Sequence, residues 1–189
     1  MYVAPFVCYT YPMSHIHTGS GQHDHTASAF ILRTDTAEPA LMLHRHKKIG
    51  KFMQYGGHIE LDETPWQAVS HEIFEESGYF LEDLKILQPK DGIEELTGSV
   101  IHPYPVCHET HRINADHLHT DVSYAFIAAA PPKAAIADTE SADFIVVTRQ
   151  ELVALSDDDT FANIREIGTF IFDVCLPQWV KTKTSKFKL

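Results

Sequence analysis

The chain has 189 residues, 44% of them hydrophobic, and a formal net charge of −11. That is ample apolar material for one packed domain, and the acidity excludes a nucleic-acid coat, which needs clustered Lys and Arg against phosphates. The longest apolar run, residues 124–130, is strand-sized and far short of a membrane span.

Residues 1–26 carry Pro5, Pro12, Gly19, Gly21 and the HxH pairs His15/His17 and His23/His25, and read as an N-terminal extension to a single domain over 27–189. The start MYVAPFVCYTYP lacks the basic and apolar regions of a secretory signal. Cys8, Cys107 and Cys175 are odd in number and without CxxC spacing, which points to a reducing cytoplasm rather than a disulfide framework.

The runs 27–33 and 40–46 are predicted strands, with TDTAEP as a short connection, and 52–55 is a further short strand. A helix is predicted over 65–77, with Thr64 as N-cap, Pro65 at the first position, Trp66, Val69, Ile73 and Phe74 inward, and Gly78 ending it. A strand follows near 84–87, and 89–119 has no assignment. A strand at 121–130 stops at Pro131-Pro132, and one at 143–148 feeds a short helix RQELVAL. After the acidic turn SDDDT, 161–176 reads as one amphipathic helix with Ile164, Ile167, Phe170 and Ile171 inward, and the basic tail KTKTSKFKL as solvated charge. Strands and helices mix without a strict βαβ rhythm, so the class is α/β, a mixed sheet flanked by helices. No internal repeat or low-complexity segment is present.

Within the 65–77 helix, Glu72, Glu75 and Glu76 stand three and four residues apart and share a face. Without a cation their charges repel; hard divalent ions want such oxygen ligands and bridge to phosphates. A solvated acidic face is the plain alternative. The surrounding residues 57–79, GHIELDETPWQAVSHEIFEESGY, decide between them.

That stretch resembles the Nudix box, Gly-x5-Glu-x7-Arg-Glu-U-x-Glu-Glu-x-Gly-U with U bulky and apolar. Gly57, Glu63, Glu72, Ile73, Glu75, Glu76, Gly78 and Tyr79 fall on its positions, and His71 stands where the pattern has arginine. The resemblance implies a Nudix-type α/β/α sandwich with a loop–helix–loop metal site, and hydrolysis of a nucleoside diphosphate linked to another moiety. In that pattern Glu75 and Glu76 ligate Mg²⁺ or Mn²⁺, a carbonyl of Gly56-Gly57 adds a ligand, Glu72 is ligand or base, and Glu63 organises the loop. The partner implied is a small nucleotide or nucleotide-linked molecule, not a nucleic-acid polymer or a membrane; the oligomeric state, homodimer included, stays open. The segments GQHDHTASAFIL, HRHKKIGKFMQYGGHIE and HLHTDVSYAF are similar to a His-rich bacterial subgroup of the family.

His71 departs from the pattern, since arginine offers a rigid fork and permanent charge and histidine offers neither. A protonated His71 pairing with Glu63 or Glu72, a neutral hydrogen-bonding substitute, and weakened catalysis are the three readings. The last makes the chain a Nudix-fold nucleotide-binding or regulatory module. Tyr55 also replaces a proline common before the glycine pair.

Lys47 and Lys48 are candidate phosphate contacts, His58 borders the expected site, and Glu94, Glu95 and Glu109 are further candidate bases. Tyr104, Phe52 and Tyr55 could stack on a nucleobase or simply pack. Among the chain's thirteen histidines, His44/His46 and His117/His119 place both rings of a pair on one strand face, with Asp121 continuing the second row. Each pair is either a polar strand face or part of a second site for a transition metal or phosphate. A histidine-dependent metal protein is therefore a third functional class. No HxH pair has the following glutamate that a cupin needs.

Overall fold

The protein's structure, a computed structural model, describes residues 21–189. Cys8, the His15/His17 pair and residues 1–20 of the expected extension lie outside it. Two long strands, β1 (His23–Arg33) and β7 (His117–Ala128), run parallel from His23↔Leu118 to Arg33↔Ala128 and form the spine of the molecule. Shorter strands complete a mixed sheet by dividing each spine strand between them. On β1, β4 (Tyr55–His58) pairs with residues 26–29 and β2 (Ala40–Arg45) with residues 31–33. On β7, β6 (Cys107–Asn114) takes the first half and β5 (Leu84–Gln88) the second. Beyond these lie β3 (Phe52–Met53) and β8 (Phe144–Thr148) on β2, and β9 (Val180–Lys183) on β5.

Alternation along the spine builds the layers. Ala29, Ile31, Tyr124 and Phe126 face one side and pack on Trp66, Val69 and Ile73 of α1 (Pro65–Ser77). Phe30, Leu32, Ala125 and Ile127 face the other and meet Leu152 of α2 (Arg149–Ala154) and Ile164 of α3 (Ala162–Phe170). Residues 27–32 of β1 and 123–128 of β7 are buried on both faces, which is why these stretches read as nearly continuous apolar runs. The architecture is the expected α/β/α sandwich. No helix among the described residues is long and apolar enough to cross a membrane.

Several elements differ from expectation. β1 begins at His23, so residues 23–26 belong to the sheet rather than to a loose extension. The unassigned stretch contains β6, whose side chains alternate between partial and full exposure and so leave no apolar run. The basic tail is not merely solvated, because β9 pairs antiparallel with β5. Phe74 is 42% exposed and packs on Phe80 at the surface, ring centroids 5.1 Å apart. Phe170 is 41% exposed, at the point where α3 widens into a π-helical turn (Ile171–Cys175). That turn, not a continuous α-helix, turns Ile171 and Cys175 inward before the last short turn Leu176–Gln178.

Candidate active site

Local chemistry fixes both ends of α1. The Thr64 side chain accepts from Gln67 N–H while the Gln67 side chain accepts from Thr64 N–H, a reciprocal cap, and Pro65 follows at the first position. At the far end Gly78 takes φ 72°, the left-handed conformation that lets its N–H return to Phe74 O. With its ends set, the helix packs Trp66, Val69 and Ile73 on the sheet and brings Glu72 and Glu76 against β4.

Glu76 is 6% exposed, and its Oε2 accepts from Gly56 N–H at 2.8 Å. Glu72 lies beside Gly57 so closely that a Cβ there would stand 2.0 Å from Glu72 Oε1. Glu75 is further out and partly exposed. His71 sits between two carboxylates, its Nε2 3.0 Å from Glu75 Oε1 and its Nδ1 3.5 Å from Glu63 Oε1. Glu63 Oε2 also accepts from Glu60 N–H at 3.4 Å. The histidine thus ties the loop to the helix, with Glu75 as its closer partner where Glu63 or Glu72 was expected.

Burial dominates the electrostatics. It pushes the Glu76 carboxyl up to about 9, with the charge of Glu72 adding to the effect. It pushes Glu72 up to about 7, where His71 opposes and Glu75, Glu140 and Glu63 reinforce. Burial pulls His71 down, but the charge and hydrogen bond of Glu75, then Glu72 and Glu63, outweigh it and leave its pKa raised. His44, stacked on Tyr55 at 4.9 Å, has its Nε2 3.6 Å from Glu76 Oε1. Burial drives His44 down to about 4, so this contact offers Glu76 a neutral imidazole and is not an ion pair. The buried Glu76 carboxyl, the half-buried Glu72, Glu75 beside them and an adjoining glycine backbone form an all-oxygen donor set, which fits a hard divalent cation.

The β7–β8 connection closes over this face, Ala134 N–H donating to Gly78 O and Ala137 N–H to Glu75 O. It brings Glu140, whose charge acts on both Glu72 and Glu76. Glu140 has no sequence signal: it lies in a loop with neither periodicity nor motif. Lys47, in the β2–β3 turn, donates to Thr139 O beside Glu140, and Lys48 next to it is exposed.

Other expected contributors sit elsewhere. Glu94 pairs with Lys186, and Glu109 with His111 and Asn163; Glu95 is exposed on the same loop as Glu94. Phe52 packs under the Arg45 guanidinium, Tyr55 is core, and Tyr104, whose backbone is held by the Gln88 side chain and whose hydroxyl accepts from Ile93 N–H, lines a separate cavity of about 420 Å³. His58 is turned to the sheet face opposite Gly57, its Nε2 3.5 Å from Asp24 Oδ2, and does not join the glutamates.

A family model described as NUDIX domain matches residues 23–165. No curated protein matches the chain. Among solved structures, it is similar to a NUDIX-family hydrolase from Clostridium perfringens, with TM-score 0.66 and 25% identity over 81% of this chain and 98% of that one. It is also similar to a C. elegans Ap4A hydrolase in a binary complex, with TM-score 0.60 and 17% identity over 82% and 98%. A NUDIX hydrolase from Nitrosomonas europaea gives TM-score 0.56 and 17% identity over 89% and 97%. The last two likenesses bear on the fold alone.

Proposed function

Since the chain belongs to the NUDIX family, hydrolases of phosphorus-containing anhydrides, we propose that it cleaves the pyrophosphate link of a nucleoside diphosphate joined to another moiety. The observation that carries this reading is the carboxyl pair, Glu76 buried and Glu72 half-buried, held against the Gly56-Gly57 backbone. In it Glu72, Glu75, Glu76 and the glycine-pair carbonyls hold Mg²⁺ or Mn²⁺. The chemistry such an ion supplies when bound is polarisation of the phosphoryl oxygens and neutralisation of leaving-group charge.

The remaining roles belong to side chains. Glu72 serves either as a ligand of that ion or as the base that takes a proton from attacking water, and the charge of Glu140 acts on the same carboxyl. His71 positions Glu63 and Glu75 rather than meeting substrate. Lys47 and Lys48 are assigned as contacts to substrate phosphates, and Lys47 also holds the loop bearing Glu140 through Thr139 O.

The test is turnover on nucleotide sugars, ADP-ribose, dinucleoside polyphosphates and nucleoside triphosphates with Mg²⁺ or Mn²⁺, comparing the wild type with Glu75→Gln. Metal-dependent cleavage that collapses in the variant supports the proposal and names the moiety. The second reading, a nucleotide-binding module, is favoured by His71 in the arginine position. Saturable metal-dependent nucleotide binding without cleavage of any of these substrates would establish it instead.

A further inference from the structure

The sheet face opposite α1 carries a second set of ionisable groups. Strand pairing puts Asp24 beside His119 across the β1–β7 spine, and Thr26 beside Asp121 and His58. Alternation then places Asp24, His58, His117, His119 and Asp121 on one face.

The two aspartates of this row are treated differently. Asp121 is buried and satisfied by three hydroxyls, from Thr26 at 2.7 Å, Ser28 at 2.8 Å and Ser123 at 2.6 Å. Asp24 is 6% exposed, yet its Oδ1 has no hydrogen-bond partner. Its Oδ2 faces two imidazoles, His117 Nε2 at 3.1 Å and His58 Nε2 at 3.5 Å. His117 Nε2 in turn lies 3.0 Å from His119 Nε2. A buried carboxylate left unpaired at one oxygen costs stability unless a cation meets it.

We propose that Asp24, His58, His117 and His119 form a binding site for a nitrogen-preferring divalent transition ion of the Zn²⁺ type, separate from the glutamate site. The potential ligand atoms of the four residues all lie within 4.8 Å of one another. With metal–ligand bonds of about 2.0–2.1 Å, a tetrahedral ion sets its ligand atoms about 3.3–3.4 Å apart. Three of the six separations, 3.0, 3.1 and 3.5 Å, bracket that edge length, and the others lie within 4.8 Å. Three imidazoles and one carboxylate suit Zn²⁺ rather than Mg²⁺, which wants oxygen ligands and keeps its waters. A phosphate is disfavoured, because the most buried member of the group is an anion.

The surroundings support the site. The His119 ring is wedged among His117, His58 and His111, with centroids 4.9, 5.1 and 5.6 Å away. His111, which packs edge-on to His119, is itself oriented by Glu109, and Asn163 Nδ2 also contacts that carboxylate. A cavity of about 410 Å³ borders Asp24 and His58. Four protein ligands make a closed, structural type of site. It clips β1, β4 and β7 together and so steadies the strand that carries Gly56-Gly57. The inference stands apart from the hydrolase reading.

The experiment is titration of the chelator-treated full chain with Zn²⁺ by calorimetry, and with Co²⁺ by visible absorption. Wild type, Glu76→Gln, His117→Ala and His119→Ala are compared, each first shown to unfold cooperatively. The expected result is one Zn²⁺ per chain and an intense tetrahedral Co²⁺ spectrum, both kept in Glu76→Gln. Either histidine change should weaken Zn²⁺ by more than the roughly 10–100-fold that losing an outer-shell partner costs. Zn²⁺ should raise Tm in the wild type and Glu76→Gln but not in the histidine variants. Zn²⁺ binding that survives both histidine changes, that disappears in Glu76→Gln, or that never saturates at one per chain would overturn the proposal. Should a histidine variant not unfold cooperatively, Asp24→Asn replaces it, with the same expected loss.

Discussion

His71 shows what one exchanged side chain does to a site. An arginine here would keep its charge at any working pH, whereas the His71 imidazolium lasts only up to its raised pKa. Below that value it holds Glu75 at 3.0 Å and Glu63 at 3.5 Å; above it the three carboxylates nearest it lose their only neighbouring cation on this helix. Turnover of the wild type should therefore fall on the alkaline side, approaching about tenfold per pH unit beyond the raised pKa. In His71→Arg the plateau should extend to higher pH, and superimposable pH–rate profiles would refute this account. The carboxyls of Glu76 and Glu72 make a separate prediction about the metal-free protein. Burial pushes the folded Glu76 carboxyl up to about 9, above the ordinary 4.5 of an unfolded chain, so between those values the folded chain holds more protons. Stability of that origin is present at low pH and is lost as pH rises toward 9. Glu72 acts in the same direction up to about 7, and so does His71, whose contribution is lost as pH passes its raised folded pKa. Thermal unfolding in chelator should show Tm declining from about pH 6 to 9, with a shallower decline in Glu76→Gln. A variant that declines as steeply as the wild type would show that Glu76 is not the titrating group.

At the scale of elements, the glycine pair of β4 separates catalysis from folding. A Cβ on Gly57 would meet the end of a flexible side chain, Glu72, at 2.0 Å from Oε1, so the carboxyl moves and the strand stays. Gly57→Ala should keep Tm within a few degrees while turnover drops by roughly 10²-fold, the penalty for about 1 Å of misplacement. Gly56 is the opposite case: it holds φ 140°, and its Cβ would meet Ala27 O at 2.4 Å and Ser28 Cα at 2.8 Å, which are backbone of β1. Gly56→Ala should lose stability first, and melting curves of the two variants side by side test the contrast. The legibility of these elements varied for physical reasons. Helix α1 was readable to its last residue because Thr64, Pro65 and Gly78 encode its ends locally. The glutamates, and the arginine position that His71 fills, were readable because their spacing lies within one helix and its loop. By contrast β6 lacks apolar alternation, and the π-helical turn after α3 has no marker in sequence. Glu140 reaches the glutamates only through the fold of a loop. The His117/His119 pair was visible as HxH, but its partners Asp24 and His58 come from two other strands, and only strand register brings them in.

For the whole molecule, the two faces of the spine carry different burdens, and the tail decides whether one of them closes. The glutamate helix needs a rigid seat, which Trp66 provides by packing on Tyr124 and Phe126 and, from the far end of the chain, on Phe187 at 5.8 Å. Phe187 gets there because β9 pairs with β5 and the buried Thr184 hydroxyl donates to Leu81 O at 2.9 Å. Lys181 and Lys183 leave this outer strand charged and exposed, which discourages further strand addition at that edge. The basic composition of the tail therefore hides a packing function in one aromatic residue. Full burial of a phenylalanine makes its truncation to alanine cost about 3–5 kcal/mol. Phe187 is only partly buried, so Phe187→Ala should cost about 2 kcal/mol. For a domain of this size that lowers Tm by about 4–8 °C. Leu189→Ala, two residues on and 64% exposed, should stay within about 0.5 kcal/mol of the wild type. Equal Tm values for Phe187→Ala, Leu189→Ala and the wild type would mean that the tail does not dock in solution and that α1 is seated by the sheet alone.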